Sequence, residues 1–155
     1  MCIRDRVKFI SDHKGNAGDE AIDLIMIAKY LERIGDHAAD ISEMTILMAG
    51  TPYIRNIEHL QTMAKEAMVM LVKSIEAYVE KDLEKAEKVI ESDDVIDDLF
   101  DQIKAELIDA IHQNPDNGEQ AADLLMVSKY LERIGDHATN IAEWVIFSIT
   151  GNHPG

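Results

Sequence analysis

KYLERIGDHA occupies residues 29–38, and the same ten letters recur at 129–138. The register holds well beyond the decapeptide. AIDLIMIAKYLERIGDHAADISEMTILMAG (21–50) lies over AADLLMVSKYLERIGDHATNIAEWVIFSIT (121–150) without a gap. Most differences exchange one apolar residue for another, as Ile27 with Val127. A repeat of this length is a duplicated supersecondary unit.

Working outward, the second unit reads as three helices. Ile57, Leu60, Ala64, Ala67, Leu71, Ile75, Tyr78 and Val79 recur at helical spacing. Asp82 suits an N-cap for the next stretch, which carries Val89, Ile96, Phe100, Ile103, Leu107 and Ile111. Asn114-Pro115-Asp116-Asn117-Gly118 is a strong turn signal. The third stretch stops at Gly151, as Gly50-Thr51-Pro52 stops its counterpart in the first unit. The predicted organisation is therefore all-α. Residues 1–50 form the remnant of a first repeat, with its final helix at about 19–49. Residues 51–155 form a complete second repeat with helices at about 56–80, 82–112 and 119–150, antiparallel and joined by short loops. By the repeat period most of two helices is missing upstream, and MCIRDR reads as a chance start rather than a native one.

Composition narrows the function classes. A formal net charge of -15 over 155 residues repels nucleic acid and anionic membrane and favours basic surfaces and cations as partners. Cys2 is the single cysteine, so no internal disulfide can form and a reducing compartment is expected. No apolar run approaches the roughly 20 residues of a membrane span, and MCIRDR lacks the apolar segment of a signal peptide.

The duplicated helix carries a carboxylate ladder. With about 100° per residue and Glu32 as origin, Asp36 lies near 40°, Asp40 near 80° and Glu43 near 20°. Glu132, Asp136 and Glu143 repeat the stripe, and Asn140 replaces its fourth acid. The apolar residues Ile27, Leu31, Ile34, Ala38 and Ile41 occupy another face. Like charges at i,i+4 each destabilise a helix by roughly 0.2–0.5 kcal/mol, and no lysine or arginine sits four residues on to relieve them. Gly35 and Gly135 sit mid-helix at a further cost of about 1 kcal/mol each, which suits a close approach by a backbone or a bulky ligand. On the middle helix, Asp93 and Asp97 form another i,i+4 acidic pair beside the apolar stripe, while Asp94, Asp98 and Asp101 point to solvent. Two such pairs on adjacent helices could converge on a hard or borderline cation, such as Mg, Ca, Mn, Fe or Zn. The competing reading is a solvated acidic face.

His37 and His137 stand about 140° from their glutamates. A di-iron bundle needs Glu-x-x-His, but five residues separate Glu32 from His37, so a metal-carboxylate oxidase is disfavoured. There is no phosphate loop, no Cys-x-x-Cys and no nucleophile beside a base. No catalytic residue is assigned.

KYLERIGDHAADISE, KYLERIGDHATNIAEW and ESDDVIDDL, with the spacing of the helices, resemble the PhoU family of phosphate-uptake regulators over nearly the whole chain. The resemblance implies two similar three-helix bundles in a cytoplasmic negative regulator of the phosphate regulon. It would link a phosphate ABC transporter to a sensor histidine kinase, and it would self-associate. Some members hold multinuclear metal clusters at E/D-x-x-x-D motifs. Carried over, the motif falls on Glu32, Asp36 and Asp40, on Glu132 and Asp136, and on Asp93 and Asp97, with a divalent or iron-type metal ion as the implied cofactor. A PhoU-like domain of a sodium–phosphate cotransporter is the alternative. With its own first two helices missing, the helix at about 19–49 should pack onto the complete unit or draw in a second chain.

Overall fold

The computed structural model describes residues 16–51, 54 and 57–151. The expectations for Cys2 and MCIRDR lie outside the described residues. Among the described residues five α-helices follow one another: α1 (Asn16–Met48), α2 (Glu58–Glu80), α3 (Leu83–Glu91), α4 (Asp93–Gln113) and α5 (Gly118–Thr150). A short 3₁₀ turn at Pro115–Asn117 precedes α5. No described residue is in a strand.

The helix ends follow local chemistry. The Asp82 side chain accepts the Lys85 backbone N–H at 3.0 Å and caps α3. Gly151 closes α5 in the left-handed region with φ 73, and its N–H donates to the Phe147 carbonyl. One expectation needs correction. The predicted continuous helix over 82–112 is broken at Ser92, which separates α3 from α4. The Ser92 hydroxyl donates to the Lys88 carbonyl at 2.8 Å, and the Ser92 N–H is shared between the Lys88 and Val89 carbonyls. Such back-bonding bends helices. The ladder restarts when Val95 and Ile96 donate to the Ser92 carbonyl.

α5 is the axle of the bundle; every other helix packs on it. Small buried residues along it, Ala121, Ser128, Gly135, Ala138 and Ala142, let neighbours approach on several sides. Met63 and Met70 of α2, Ile96 and Ile103 of α4, and Ile141 and Val145 of α5 are fully buried. The hydroxyls of buried Ser74 and Ser128 are satisfied by the Leu71 and Leu124 carbonyls. Gln120 fastens the connection before α2 to α5: its side chain accepts the Ile54 N–H at 2.6 Å and donates to the Thr51 hydroxyl at 2.9 Å.

Among the helices, α1 packs against α5 alone. The contact is antiparallel and nearly two-fold symmetric. Tyr30 meets His137 at 5.9 Å between ring centroids, and Tyr130 meets His37 at 5.8 Å. The two histidines stack on each other at 5.4 Å with 4° between their planes. Exchanging each residue for its copy in the other repeat reproduces the same contacts. Ile27 and Ile34 are buried in this seam, with Ile41, Met44 and Met48 packed around them. The expected apolar face of α1 is thus divided. Leu31 and Ala38 remain exposed, as do Leu24 and Ile46, whereas Leu124, Leu131, Ala138 and Ile146 of α5 are buried. The difference is that α2–α4 cover that face of α5 and no described helix covers it on α1.

Candidate functional site

The acidic residues separate into two unequal sets. Asp93 and Asp97 on the first turns of α4 face the middle of α5, where Glu132 and Asp136 stand one turn apart. Close packing of Ile96 against Gly135 brings the two helices together here. A Cβ built on Gly135 would lie 3.4 Å from Ile96 Cγ2. The mid-helix glycine of the second copy thus admits an apolar side chain, rather than the backbone or ligand expected from the sequence. Around its copy, Gly35, no atom of the described residues lies within 4 Å of such a Cβ.

Burial and mutual repulsion both act on these carboxylates. Burial raises the pKa of Asp93 above its ordinary value, and the charge of Asp97 adds to the effect; a 3.4 Å hydrogen bond from the Thr139 hydroxyl opposes it. Asp97 is raised by burial and then by Glu132. Asp136 is pushed up to about 6, by burial first and then by Asp93, Glu132 and Asp97, although part of its side chain reaches solvent. Four carboxylates held this close raise the cost of ionising each one.

One cation offsets the cluster. Lys129 Nζ donates to Glu132 Oε2 at 2.6 Å and lies 5.1 Å from the centre of the Phe100 ring. The expectation that no basic residue relieves the ladder considered only residues four positions on and missed this i,i+3 pair. Thr139 was missed as well, because its role depends on α4 standing opposite. In the first copy Lys29 instead lies over Tyr30, at 5.6 Å.

Glu32, Asp36 and Asp40 are not brought to a second acidic pair. They lie on α1, which among the described helices packs on α5 alone, so no described helix stands to them as α4 stands to Glu132 and Asp136. Asp40 approaches His37 Nδ1 at 3.5 Å. The histidines occupy the α1–α5 seam rather than the acidic faces. Nδ1 of each ring is buried without a hydrogen-bond partner, and the His137 pKa is lowered, by burial first and then by His37, Arg33, Arg133 and Lys29.

Chemically, Asp93, Asp97, Glu132 and Asp136 form a set of hard oxygen donors whose crowding a cation would relieve. Their oxygens do not close on one point. Among the described residues, no three carboxylate, imidazole or thiolate groups are arranged to hold a metal ion as they stand. The donor chemistry fits a cation, and enclosing one requires these side chains to rotate inward.

Comparison with known proteins places this arrangement. The PhoU domain model matches residues 3–45 and 60–145. A phosphate-specific transport system accessory protein PhoU homolog of Clostridium acetobutylicum is 37% identical over 127 residues, covering 82% of this chain and 58% of that protein. The homolog of Rhizobium meliloti is 35% identical over 136 residues, covering 87% of this chain and 57% of its own length. The chain therefore spans less than three-fifths of these two relatives. The crystal structure of PhoU from Pseudomonas aeruginosa superposes with a TM-score of 0.83 at 22% identity, over 97% of this chain and 80% of that one. The phosphate transport system regulatory protein PhoU of Streptococcus pneumoniae gives 0.81 at 24% identity, over 92% and 67%. These two structures share the fold, and with the matched domain and relatives the conclusion is direct: the chain belongs to the PhoU family.

Proposed function

We propose that this chain works in the regulation of phosphate uptake, as an accessory component of a phosphate-specific transport system on the cytoplasmic side of the membrane. The finer reading is negative control of phosphate-regulon signalling, with a phosphate ABC transporter and a sensor histidine kinase as partners. The carrying observation is the 37% identity over 127 residues to a phosphate-specific transport accessory protein. No helix among the described residues is long and apolar enough to cross a membrane, so contact with a transporter would be made by protein surfaces. The acidic face suits a divalent or iron-type cation, with Asp93 and Asp97 from one side and Glu132 and Asp136 from the other; when bound, the ion would supply positive charge that draws α4 and α5 together. Thr139 and Lys129 would orient Asp93 and Glu132 in that setting.

Two experiments separate the parts of the proposal. In a reporter strain lacking its own PhoU protein, expression of the gene containing this chain should restore repression of a phosphate-regulon promoter in phosphate-rich medium. A folded, expressed protein that leaves the promoter constitutive overturns the regulatory reading. Titration of the purified chain with Mn²⁺ or Fe²⁺ should show binding that Glu132→Ala/Asp136→Ala abolishes; binding that survives in the variant overturns the metal reading and leaves the regulatory one standing.

A further inference from the structure

The start of α1 meets the ends of α2 and α5 at one end of the bundle. Between them lies an open cleft of about 460 Å³, lined by Asp19, Glu20 and Asp23 of α1, Lys81 at the C-cap of α2, and Ser148 and Ile149 of α5. α1 and α2 do not pack on each other. The cleft separates them, and the end of α5 is its floor.

Asp23 is the buried member of this lining, at 6% exposure. Asp19 is exposed and stands in the first turn of α1, where an acid meets the positive end of a helix. Asp23 lies about two turns in and has no such reason to be there. Among the described residues no N–H or O–H donates to its carboxylate, and a buried carboxylate without a donor is costly. Burial raises its pKa above the ordinary value; Lys81 opposes this through space, and Asp19 and Glu20 add to it. Lys81 is not a contact partner. Its Nζ lies over the Tyr78 ring, 4.6 Å from the centre, and it forms no ion pair among the described residues.

The surrounding field favours a cation. α2 and α5 both present their negative C-terminal ends here, and neither has a basic residue in its last turn. Three carboxylates stand against one lysine. Among the described residues no three donor groups are arranged to hold a metal ion, whereas an organic cation brings its own N–H donors to separated acceptors. A guanidinium is planar, weakly hydrated, and suited to carboxylates and aromatic faces. Tyr78 is close enough that its hydroxyl pKa is raised, by burial first and then by Asp23 and Glu20. Ile149 offers an apolar wall for an aliphatic stem. The net charge of -15 draws basic protein segments from a distance.

We infer that this cleft receives the guanidinium of an arginine carried on a basic segment of a partner protein, with Asp23 as the buried acceptor and Asp19 and Glu20 at the rim. The inference is independent of the proposed regulatory function and of the carboxylates on α4. Asp123, the copy of Asp23 in the second repeat, is less buried and lines a different hollow.

The test is a nuclear magnetic resonance titration of the full 155-residue chain. The probes are a short blocked alanine peptide with one central arginine, the same peptide with citrulline or lysine at that position, and methylguanidinium. The arginine peptide should give saturable shifts at the Asp23, Lys81 and Ser148 amides, and the uncharged citrulline peptide should give none. Asp23→Asn should weaken binding at least about tenfold, with unchanged far-UV circular dichroism. Glu20→Gln, at the exposed rim, should weaken it severalfold and keeps the test decisive if Asp23→Asn disturbs the fold. Asp123→Asn should leave the affinity unchanged. The inference is overturned by shifts that do not saturate or that centre elsewhere, by a citrulline or lysine peptide that binds as well as the arginine peptide, or by full affinity in folded Asp23→Asn or in Glu20→Gln. Methylguanidinium that binds as tightly as the peptide overturns a partner segment as the source.

Discussion

Replacing Asp136 with asparagine should make the metal-free protein more stable at neutral pH, and the gain should vanish in acid. In the fold the Asp136 pKa rises from 3.8 to about 6. Taken at face value, that shift corresponds to about 3 kcal/mol at pH values where the group is ionised. The side chain is more than a third exposed, so solvent screening reduces the expected effect to about 1 kcal/mol. Between about pH 6 and pH 4 the folded protein binds a proton that the unfolded chain does not. Wild-type stability contributed by this group is therefore full below the unfolded pKa and is lost as pH rises through about 6. Asparagine cannot ionise, so Asp136→Asn escapes that loss. Urea denaturation in EDTA should show the variant more stable by about 1 kcal/mol at pH 8, which in a chain of this size moves Tm by about 2–4 °C, and equal to wild type at pH 4. A neutral result at pH 8, or a gain that grows as pH falls, would refute the reasoning. With Mn²⁺ present the order should reverse, since a ligand of the folded state stabilises only the protein that binds it.

Three further outcomes are expected. Asp82→Ala, which removes the cap of α3, should cost about 1 kcal/mol in the same denaturation assay. Gly35→Ala should stabilise by about 0.5–1 kcal/mol, because a Cβ there meets nothing within 4 Å; Gly135→Ala should gain clearly less, because its Cβ would press on Ile96. Calorimetric titration with Mn²⁺ should show loss of binding in Glu132→Ala/Asp136→Ala and little change in Glu32→Ala/Asp36→Ala; equal losses in a monomeric sample would mean that the decapeptide alone makes the site.

Most helix positions were legible because apolar periodicity, an aspartate cap and terminal glycines are all local signals. The break at Ser92 was not, since serine is tolerated within helices and its back-bond to Lys88 is one option among several. The acidic pairs on α4 and α5 could be brought together from angular bookkeeping. The pKa of Asp136 could not, because it depends on how deeply α4 sinks against α5 at the Ile96–Gly135 contact. The pairing of Lys129 with Glu132 was present as i,i+3 spacing. Lys29 and Glu32 share that spacing, and there the lysine lies over Tyr30. Phe100, from another helix, accompanies the difference, so spacing alone does not decide it. The stacked histidines were hidden for a similar reason: a repeat declares two copies and leaves open how they cross.

The near two-fold crossing of α1 and α5 makes the molecule its own control. Ten identical residues are presented twice on one chain, once against α4 and once with no such neighbour among the described residues. Local sequence, temperature, buffer and chain length cancel in any comparison of Glu32 with Glu132, Gly35 with Gly135 or His37 with His137. A difference in chemical shift, exchange rate or titration between the members of a pair is then a direct reading of tertiary environment, obtained by subtraction within a single spectrum.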